Sequence, residues 1–595
     1  MNQVQNNLNK EDNSQQNNTG NMYSYQDDNN NINNQNELEA GAIRRSLGQG
    51  NPNANYSQPY YNPEYNQNPN DMNINGGNVE IGQSQTYNNN FNNSNNSNNS
   101  FIEWVPYIIF GCFEILMIIL IACLYNWDIR NDPKYYNILN STDNDIEIET
   151  NFTKLNFNET IYKATEEELN IYEGLFKDIN LMVFVGFGML HTLLKRYSWT
   201  SITINMMAIA FSFQIGLFTN LLWENSFKES WKMGVLNFRT FIKSIFNSCS
   251  VLISLGCVLG KLSLTQYIIL IIFETIISSL NFQLCDVKLR AIDVGGSLYI
   301  HTFGAIFGIA IYMVMFCSQK MKSKVLSQSY FNKSNYFSNI TSFIGVLFIC
   351  YYFPSFNSGL ALDNKARYRA SINTYFSIAG SIVGSFITSA ILNKGRIFFE
   401  QLLFGSFSGG VIISGCCSVC IYHWPALLIG SLCGIIVVIL LSQLKSSFTK
   451  WQFHDIYNII CIHGVPGILG VFISSMMIGD FKNRLGDDYH LYLNDMEREN
   501  NIQAGVQIGA IFITIGLSFI SGIATGYLMK ISTCGKVEQF FTDSEFFENE
   551  KNIINNLEQN QFYYGQINRA SLFQNNFDFP PSRASDNRAS QPSYN

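Results

Sequence analysis

Twelve long apolar segments between residues 101 and 530 constrain the fold of this chain more than any other feature. Each is long enough to cross a hydrocarbon core about 30 Å thick as a helix. Only a helix or a closed barrel satisfies every backbone polar group in lipid, and twelve separate apolar runs favour helices. The predicted spans are approximately 104–125, 177–194, 201–223, 241–259, 265–281, 293–317, 337–355, 370–392, 398–420, 423–442, 456–477 and 503–529. The sequence therefore predicts an all-α, polytopic membrane protein with twelve transmembrane helices.

Two polar tails flank this membrane domain of residues 101–530. Residues 1–100 are rich in Asn, Gln, Ser and Gly and contain no apolar run, so they are predicted to be a disordered tail, with a role in partner binding as the alternative. Residues 531–595 form a second polar tail, in which an acidic, aromatic patch at 538–550 could form a short docking helix. No basic cluster indicates a nucleic-acid partner.

The basic residues of the short loops predict the orientation of the chain. With a cytoplasmic N-terminus, the inner loops contain Lys195, Arg196, Lys261, Lys320, Lys322, Lys324, Lys333, Lys394, Arg396, Lys445 and Lys450. This is the bias of cytoplasmic loops, and an even number of spans makes the C-terminus cytoplasmic too. The long outer loop at 126–176 has glycosylation sequons at Asn140, Asn151 and Asn158, as expected of an outer loop.

The thirteen cysteines do not point to a metal site. Most lie inside apolar runs, where cysteine usually behaves as a small apolar residue. Cys416, Cys417 and Cys420 have a ligand-like spacing, but no second cluster accompanies them. We expect no metal and no cofactor.

One histidine lies inside each of two predicted spans. His301 follows Asp293 by eight residues in the stretch DVGGSLYIHTFGAIFG, and His463 lies in CIHGVPGILG. The two spans run in opposite directions, and each histidine lies about 10–12 Å from its starting end. Because the hydrocarbon core is about 30 Å thick, both approach the midplane. Two neutral imidazoles at this depth could share one hydrogen bond and keep further edges for a passing molecule.

Other residues of these two stretches fit a pair of closely approaching helices. Pro466 frees the carbonyl of Ile462, which is tolerated only against protein or a cavity. Gly464 and Gly467 are predicted to allow close helix approach. Asp293 has two interpretations: it attracts cations, or it caps the start of its helix, where an acid is favoured. We favour the capping role.

Several motifs resemble the Rh glycoprotein branch of the ammonium transporter family. They are FKDINLMVFVGFGML at 176–190, KRYSWTS at 195–201, VLISLGCVLGK at 251–261, DVGGSLYIHTFGA at 293–305, PSFNS at 354–358, INTYFSIAG at 372–380, HD at 454–455 and IHGVPGILG at 462–470. The resemblance covers roughly residues 100–530. The first span and the sequon-bearing loop after it resemble the Rh branch in particular.

The resemblance implies a homotrimer in the plasma membrane with one pore in each subunit, which conducts ammonia after ammonium has been recruited and deprotonated. His301 and His463 match the pore histidines, and Asp293 matches the acid before the first of them. Phe246 and Phe356 match the phenylalanines that stack as an outer gate. Carbon dioxide is a second possible cargo.

The sequence departs from the family's motifs at two places, and three other classes of function remain as alternatives. Asn281-Phe282 stands where many relatives have Asn-Glu, so cation recruitment is expected to be weaker or to use Asp286, and Phe404 replaces an asparagine of the family's polar segment. A structural protein without transport is the main alternative, and a sensor with partner-binding tails is another. An intramembrane enzyme that uses Asp293 and His301 is disfavoured, because no nucleophile or metal set accompanies them.

Overall fold

The structure is a computed structural model, and it describes residues 97–127, 166–228, 231–328, 331–451, 455, 457–486, 498–531 and 537–547. The three predicted glycosylation sites and nearly all of the first tail lie outside these residues. The description below concerns the unit that comprises residues 92–595.

The first half of the described chain is helical apart from one short pair of strands. Its elements are α1 (Ser97–Leu124), β1 (Tyr125–Trp127), α2 (Glu166–Asn180), a π-helical segment (Leu181–Phe187), α3 (Gly188–Leu190), a 3-10 turn (His191–Leu193), α4 (Ser198–Lys228), β2 (Gly234–Leu236), α5 (Phe238–Val258), α6 (Leu264–Gln283) and a π-helical segment (Leu284–Leu289). Strands β1 and β2 pair in parallel, with Tyr125 opposite Gly234. This pairing places the end of α1 beside the start of α5.

The second half is helical throughout its described elements. They are a π-helical segment (Ser297–Thr302), α7 (Phe303–Phe316), α8 (Gln319–Ser327), α9 (Tyr336–Ser358), α10 (Asn364–Leu392), α11 (Phe399–Ile413), α12 (His423–Trp451), a π-helical segment (Ile460–Gly464), α13 (Val465–Gly479), α14 (Phe481–Leu485), α15 (Asn500–Met529) and a 3-10 turn (Asp543–Glu545). A helix therefore occupies each of the twelve predicted spans.

Ten of the described helices are long and apolar enough to cross a membrane. The other two predicted spans are helical but differ in form. Residues 177–194 run through a π-helical segment between α2 and α3, and residues 398–420 contain only the 15-residue α11 followed by turns. The predicted span at 293–317 begins as helix only at Ser297, because Gly296 adopts a left-handed φ of 84° just before it.

The bundle is held together by apolar packing and by small hydroxyl side chains. Helix α1 lies at the periphery, since only 11% of its most apolar stretch is buried. Phe113 of α1 stacks on Phe211 of α4, with ring centroids 4.3 Å apart. In the interior, the hydroxyls of Ser377 and Ser381 on α10 donate to the carbonyls of Gly409 and Gly405 on α11, each at 2.7 Å. Such bonds satisfy hydroxyls that lipid would leave unpaired.

Part of the second tail packs against the bundle. The backbone N–H of Phe541 donates to Gly260 O at 2.8 Å, and the Phe541 side chain is fully buried. Asp543 accepts from the N–H of Thr200 at 2.7 Å, which caps the first turn of α4. The expected docking helix in this patch is a single 3-10 turn at Asp543–Glu545.

Candidate functional site

The two histidines lie in short π-helical segments that begin in the same way. Asp293 accepts hydrogen bonds from the N–H groups of Ser297 at 2.8 Å and Leu298 at 2.6 Å, at the start of the segment with His301. Asp455 accepts from the N–H of Ile460 at 3.1 Å, at the start of the segment with His463. Each aspartate precedes its histidine by eight residues. A buried carboxylate therefore satisfies the unpaired donors at each helix start.

The structure brings the two histidines together. The Nδ1 atoms of His301 and His463 lie 3.1 Å apart, and the two rings are nearly parallel, with centroids 5.1 Å apart. One ring donates and the other accepts, and the tautomers decide which. The Nε2 atom of His301 has no hydrogen-bond partner among the described residues. Its hydrogen-bonding capacity is therefore unused by the described residues.

A row of aromatic rings leads to and from this pair. Phe246 stacks on Phe356, with centroids 4.5 Å apart and 28° between the planes. Phe356 lies 6.4 Å from His301, and Phe407 lies 5.9 Å from His463. All five side chains are at least 98% buried. The arrangement is a continuous row of buried rings in which the pair of imidazoles supplies the polar groups.

Gly467 lets the two histidine-bearing helices approach each other. A Cβ atom at this position would lie 2.8 Å from Thr302 Oγ1, which is closer than real Cβ atoms come, and 3.3 Å from His301 Cβ, which is a tight contact. The matching expectation for Gly464 was wrong, since a Cβ there would make only an ordinary 3.6 Å contact with Ala305. The close approach therefore uses Gly467, one turn after His463, and also Gly470, where a Cβ would lie 2.9 Å from Ser297 Oγ in the His301 segment.

A cavity of about 330 Å³ is lined by residues that neighbour the stacked phenylalanines in the chain, although neither ring is part of its lining. Lys243 lies one turn before Phe246, and Leu360 lies one turn after Phe356. Both line the cavity, which we call the mouth cavity. Its charged lining consists of Lys228, Arg239, Lys243, Arg290, Asp286 and Asp293. The mouth cavity thus contains more basic than acidic side chains.

The two sequence departures occupy packed positions. Phe282 packs edge-to-face on Tyr299, with ring centroids 4.5 Å apart and Lys243 Nζ 5.9 Å from the Phe282 ring centroid. Asp286 lies on the lining of the mouth cavity. Phe404 is fully buried in α11. Phe282 thus contributes an apolar ring to the lining of the mouth cavity.

Sequence reasoning missed three residues of the site. Phe353 lies 6.0 Å from His301, and Phe407 is the corresponding neighbour of His463. Asp455 is the counterpart of Asp293, and the repeated spacing of an aspartate eight residues before a histidine could have revealed it. No comparable signal marks the two phenylalanines, because this chain has 47 of them.

A buried lysine lies at the opposite end of α5 from the mouth cavity. Lys261 is 2% exposed, donates to Cys257 O at 2.8 Å, and lies 4.6 Å from the ring centroid of Tyr312. Burial lowers the pKa of this amine to about 8, although the charge of Asp455 acts in the opposite direction. The described residues contain no cluster of His, Cys, Asp or Glu that could hold a metal ion.

Comparison with known proteins relates most of this chain to a single protein family. A model of the ammonium transporter family matches residues 156–549. The ammonium transporter Rh type A of Bos taurus is 30% identical over 401 residues, which cover 67% of this chain and 88% of the relative. The ammonium transporter Rh type B of Danio rerio is 29% identical over 444 residues, which cover 73% of this chain and 91% of the relative.

Two solved structures share the fold. Rh50 of Nitrosomonas europaea aligns with a TM-score of 0.54 and 23% identity, over 67% of this chain and all of that chain. Mep2 of Saccharomyces cerevisiae aligns with a TM-score of 0.51 and 16% identity, over 64% of this chain and 92% of the Mep2 chain. At these identities the likeness concerns the arrangement of the helices.

Proposed function

Because this chain belongs to the ammonium transporter family, we propose that it is a membrane channel that conducts ammonia past the His301–His463 pair. The observation that carries the proposal is the 3.1 Å contact between the two Nδ1 atoms, with Nε2 of His301 left unpartnered among the described residues. A molecule that both donates and accepts hydrogen bonds can use this nitrogen. Ammonia is such a molecule.

The aromatic row accounts for the form in which the cargo moves. A bare ammonium ion would have to lose its water shell beside apolar rings, and an ion deep in a membrane costs about 2.5–3.5 kcal/mol or more. Ammonium therefore gives its proton to water in the mouth cavity, before the Phe246–Phe356 stack. Neutral ammonia passes the two imidazoles, which replace hydrogen bonds lost from water, and takes a proton from water on the other side. These two proton transfers to and from water are the only bond changes in the proposal.

In our proposal the mouth cavity faces outward and both tails are cytoplasmic. The basic inner loops support this orientation. The β1–β2 pairing supports it as well, since it joins the outer end of α1 to the start of α5, where Lys243 lines the cavity. We further propose a homotrimer in the plasma membrane, with sugars on Asn140, Asn151 and Asn158. Light scattering of the purified protein and deglycosylation test these assignments.

The experiment is an ammonium pulse on reconstituted vesicles with a pH-sensitive dye inside. Wild-type vesicles should alkalinise faster than empty ones. His301→Ala and His463→Ala should change the rate without loss of protein in the vesicles. His423→Ala, which alters an exposed histidine at the start of α12, is the control and should conduct like the wild type.

Other outcomes would favour the alternative functions. Equal transport by wild type and both pore variants would refute the role of the histidine pair. Wild-type rates equal to those of empty vesicles would favour a structural or sensor protein. Carbon dioxide, tested as a comparison cargo, is small and neutral and would use the same path; acidification that depends on the protein would add it as a second substrate.

A further inference from the structure

A second cavity of about 340 Å³ lies beside the mouth cavity. We call it the side cavity. It is lined by the outer ends of α4 and α5, by β2 and by Tyr125. Lys228, Arg239 and Lys243 line both cavities. Whatever binds in the side cavity therefore alters the charge that a cargo meets at the mouth.

The side cavity has more positive than negative side chains. Its basic residues are Lys228, Lys232, Arg239 and Lys243, and its one carboxylate is Glu224. Glu224 makes a contact ion pair of 2.6 Å with Lys228. The Glu224 carboxylate also acts electrostatically on Lys243 and Arg239, but one carboxylate offsets only one of the four positive charges.

The backbone adds to this positive charge. Arg239 lies in the first turn of α5, a 21-residue helix whose N-terminal turn contains no acid. The N-terminus of a helix carries about half a positive charge, so a basic residue there is unfavourable unless an anion balances it. Asn237 uses its side-chain oxygen to cap Thr240 N, so it supplies no negative charge.

A buried amide points to the same ligand class. Asn220 is 6% exposed and lines the side cavity. Its Oδ1 accepts from Gln283 Nε2 at 3.4 Å. Its Nδ2 has no partner among the described residues. Leaving a buried donor without a partner is unfavourable, and an anion would satisfy it.

We propose that the side cavity binds a small inorganic oxyanion of the phosphate class. The guanidinium of Arg239 has the forked geometry that matches two oxygens of such an ion. Lys243 supplies a second positive charge, and the Asn220 amide donates a hydrogen bond. Three positions from two helices thus provide the charge and the direction needed to hold one oxyanion.

The anion would also change how the mouth receives ammonium; this step rests on the function proposed above. The four basic side chains of the mouth cavity outnumber Asp286 and Asp293, so that Arg239 and Lys243 repel a cation there. One unit charge about 6–10 Å away in water changes the local concentration of a cation about two- to threefold. A bound oxyanion neutralises this repulsion, and ammonium can then collect at the mouth.

Binding is tested first, without any transport. Calorimetry on the purified full-length protein should show saturable binding of inorganic phosphate and little binding of gluconate, which is larger. Arg239→Gln removes the guanidinium group, and Asn220→Asp replaces the amide donor with a carboxylate. Both variants should lose phosphate binding at least tenfold. Lys365→Gln, which removes an exposed base in the first turn of α10 outside both cavities, should bind like the wild type.

Flux is tested second, at constant ionic strength. Replacing external gluconate with phosphate should raise ammonium-driven alkalinisation about two- to threefold in the wild type and in Lys365→Gln. It should have no effect in Arg239→Gln. Absence of phosphate binding by the folded wild type, or equal binding by both cavity variants, would overturn the site. Binding without a change in flux would overturn only its effect on the mouth, and a wild type that binds phosphate but conducts no ammonia would refute the proposed function alone.

Discussion

Replacing Gly467 with alanine would test whether one close helix contact sets the spacing of the two histidines. The added methyl would lie 2.8 Å from Thr302 Oγ1, 3.2 Å from Thr302 N and 3.3 Å from His301 Cβ. A rotamer change can move the Thr302 oxygen, but not the backbone nitrogen or the first side-chain carbon. Helix α13 and the His301 segment would therefore have to separate by a few tenths of an ångström.

Gly464 in the same stretch provides a matched control. Its new methyl would meet only Ala305, at 3.6 Å. Both substitutions gain up to about 1 kcal/mol from the better helix propensity of alanine. Only Gly467→Ala has the overpacking cost of about 1–3 kcal/mol. The difference in the free energy of unfolding between the two variants should therefore be about 1–3 kcal/mol.

The assay combines denaturation in detergent with the vesicle measurement. We expect Gly464→Ala to be as stable as the wild type or slightly more stable, and to conduct similarly. Gly467→Ala should be less stable than Gly464→Ala and should conduct ammonia more slowly, because moving α13 separates His463 from His301. Equal stability and equal flux of the two variants would refute the argument that this contact fixes the site.

Three further predictions concern the two ends of the bundle. Asp293→Ala should lower stability by about 0.5–2 kcal/mol through loss of the cap, whereas Asp293→Asn should keep most of it; an equal loss of flux in both variants, without loss of stability, would instead support cation attraction. Phe541→Ala should expose residues 537–547 to limited proteolysis, because emptying a fully buried phenylalanine site costs about 3–5 kcal/mol, while the exposed-site variant Glu538→Ala should stay protected. Between pH 8 and 10.5 the unfolded state retains a proton on Lys261 that the folded state has released, so the free energy of unfolding should rise with pH in that window; Lys261→Met should remove this rise, and an unchanged slope would contradict the assignment.

Much of the architecture could be predicted from local patterns. A helix lies in each of the twelve predicted spans, because the length of an apolar run is a property of the run itself. The favoured role of Asp293 also had a local basis, since an acid before a helical run can cap it. The form of the residue 177–194 span and the short α11 were not predictable, because π-helical turns and early helix ends respond to neighbouring helices.

The sequence alone determined that this chain crosses a membrane many times and that two histidines lie at similar depths. Only the tertiary structure decided which ring faces which, that Gly467 rather than Gly464 allows the close approach, and that Asp455 repeats the role of Asp293. It also decided that Arg239, Lys243 and the amide of Asn220 share one cavity, although they come from different helices. The physical reason is that hydropathy fixes how deep a residue lies, whereas the rotation and separation of packed helices fix its neighbours, and these depend on contacts between residues far apart in the chain.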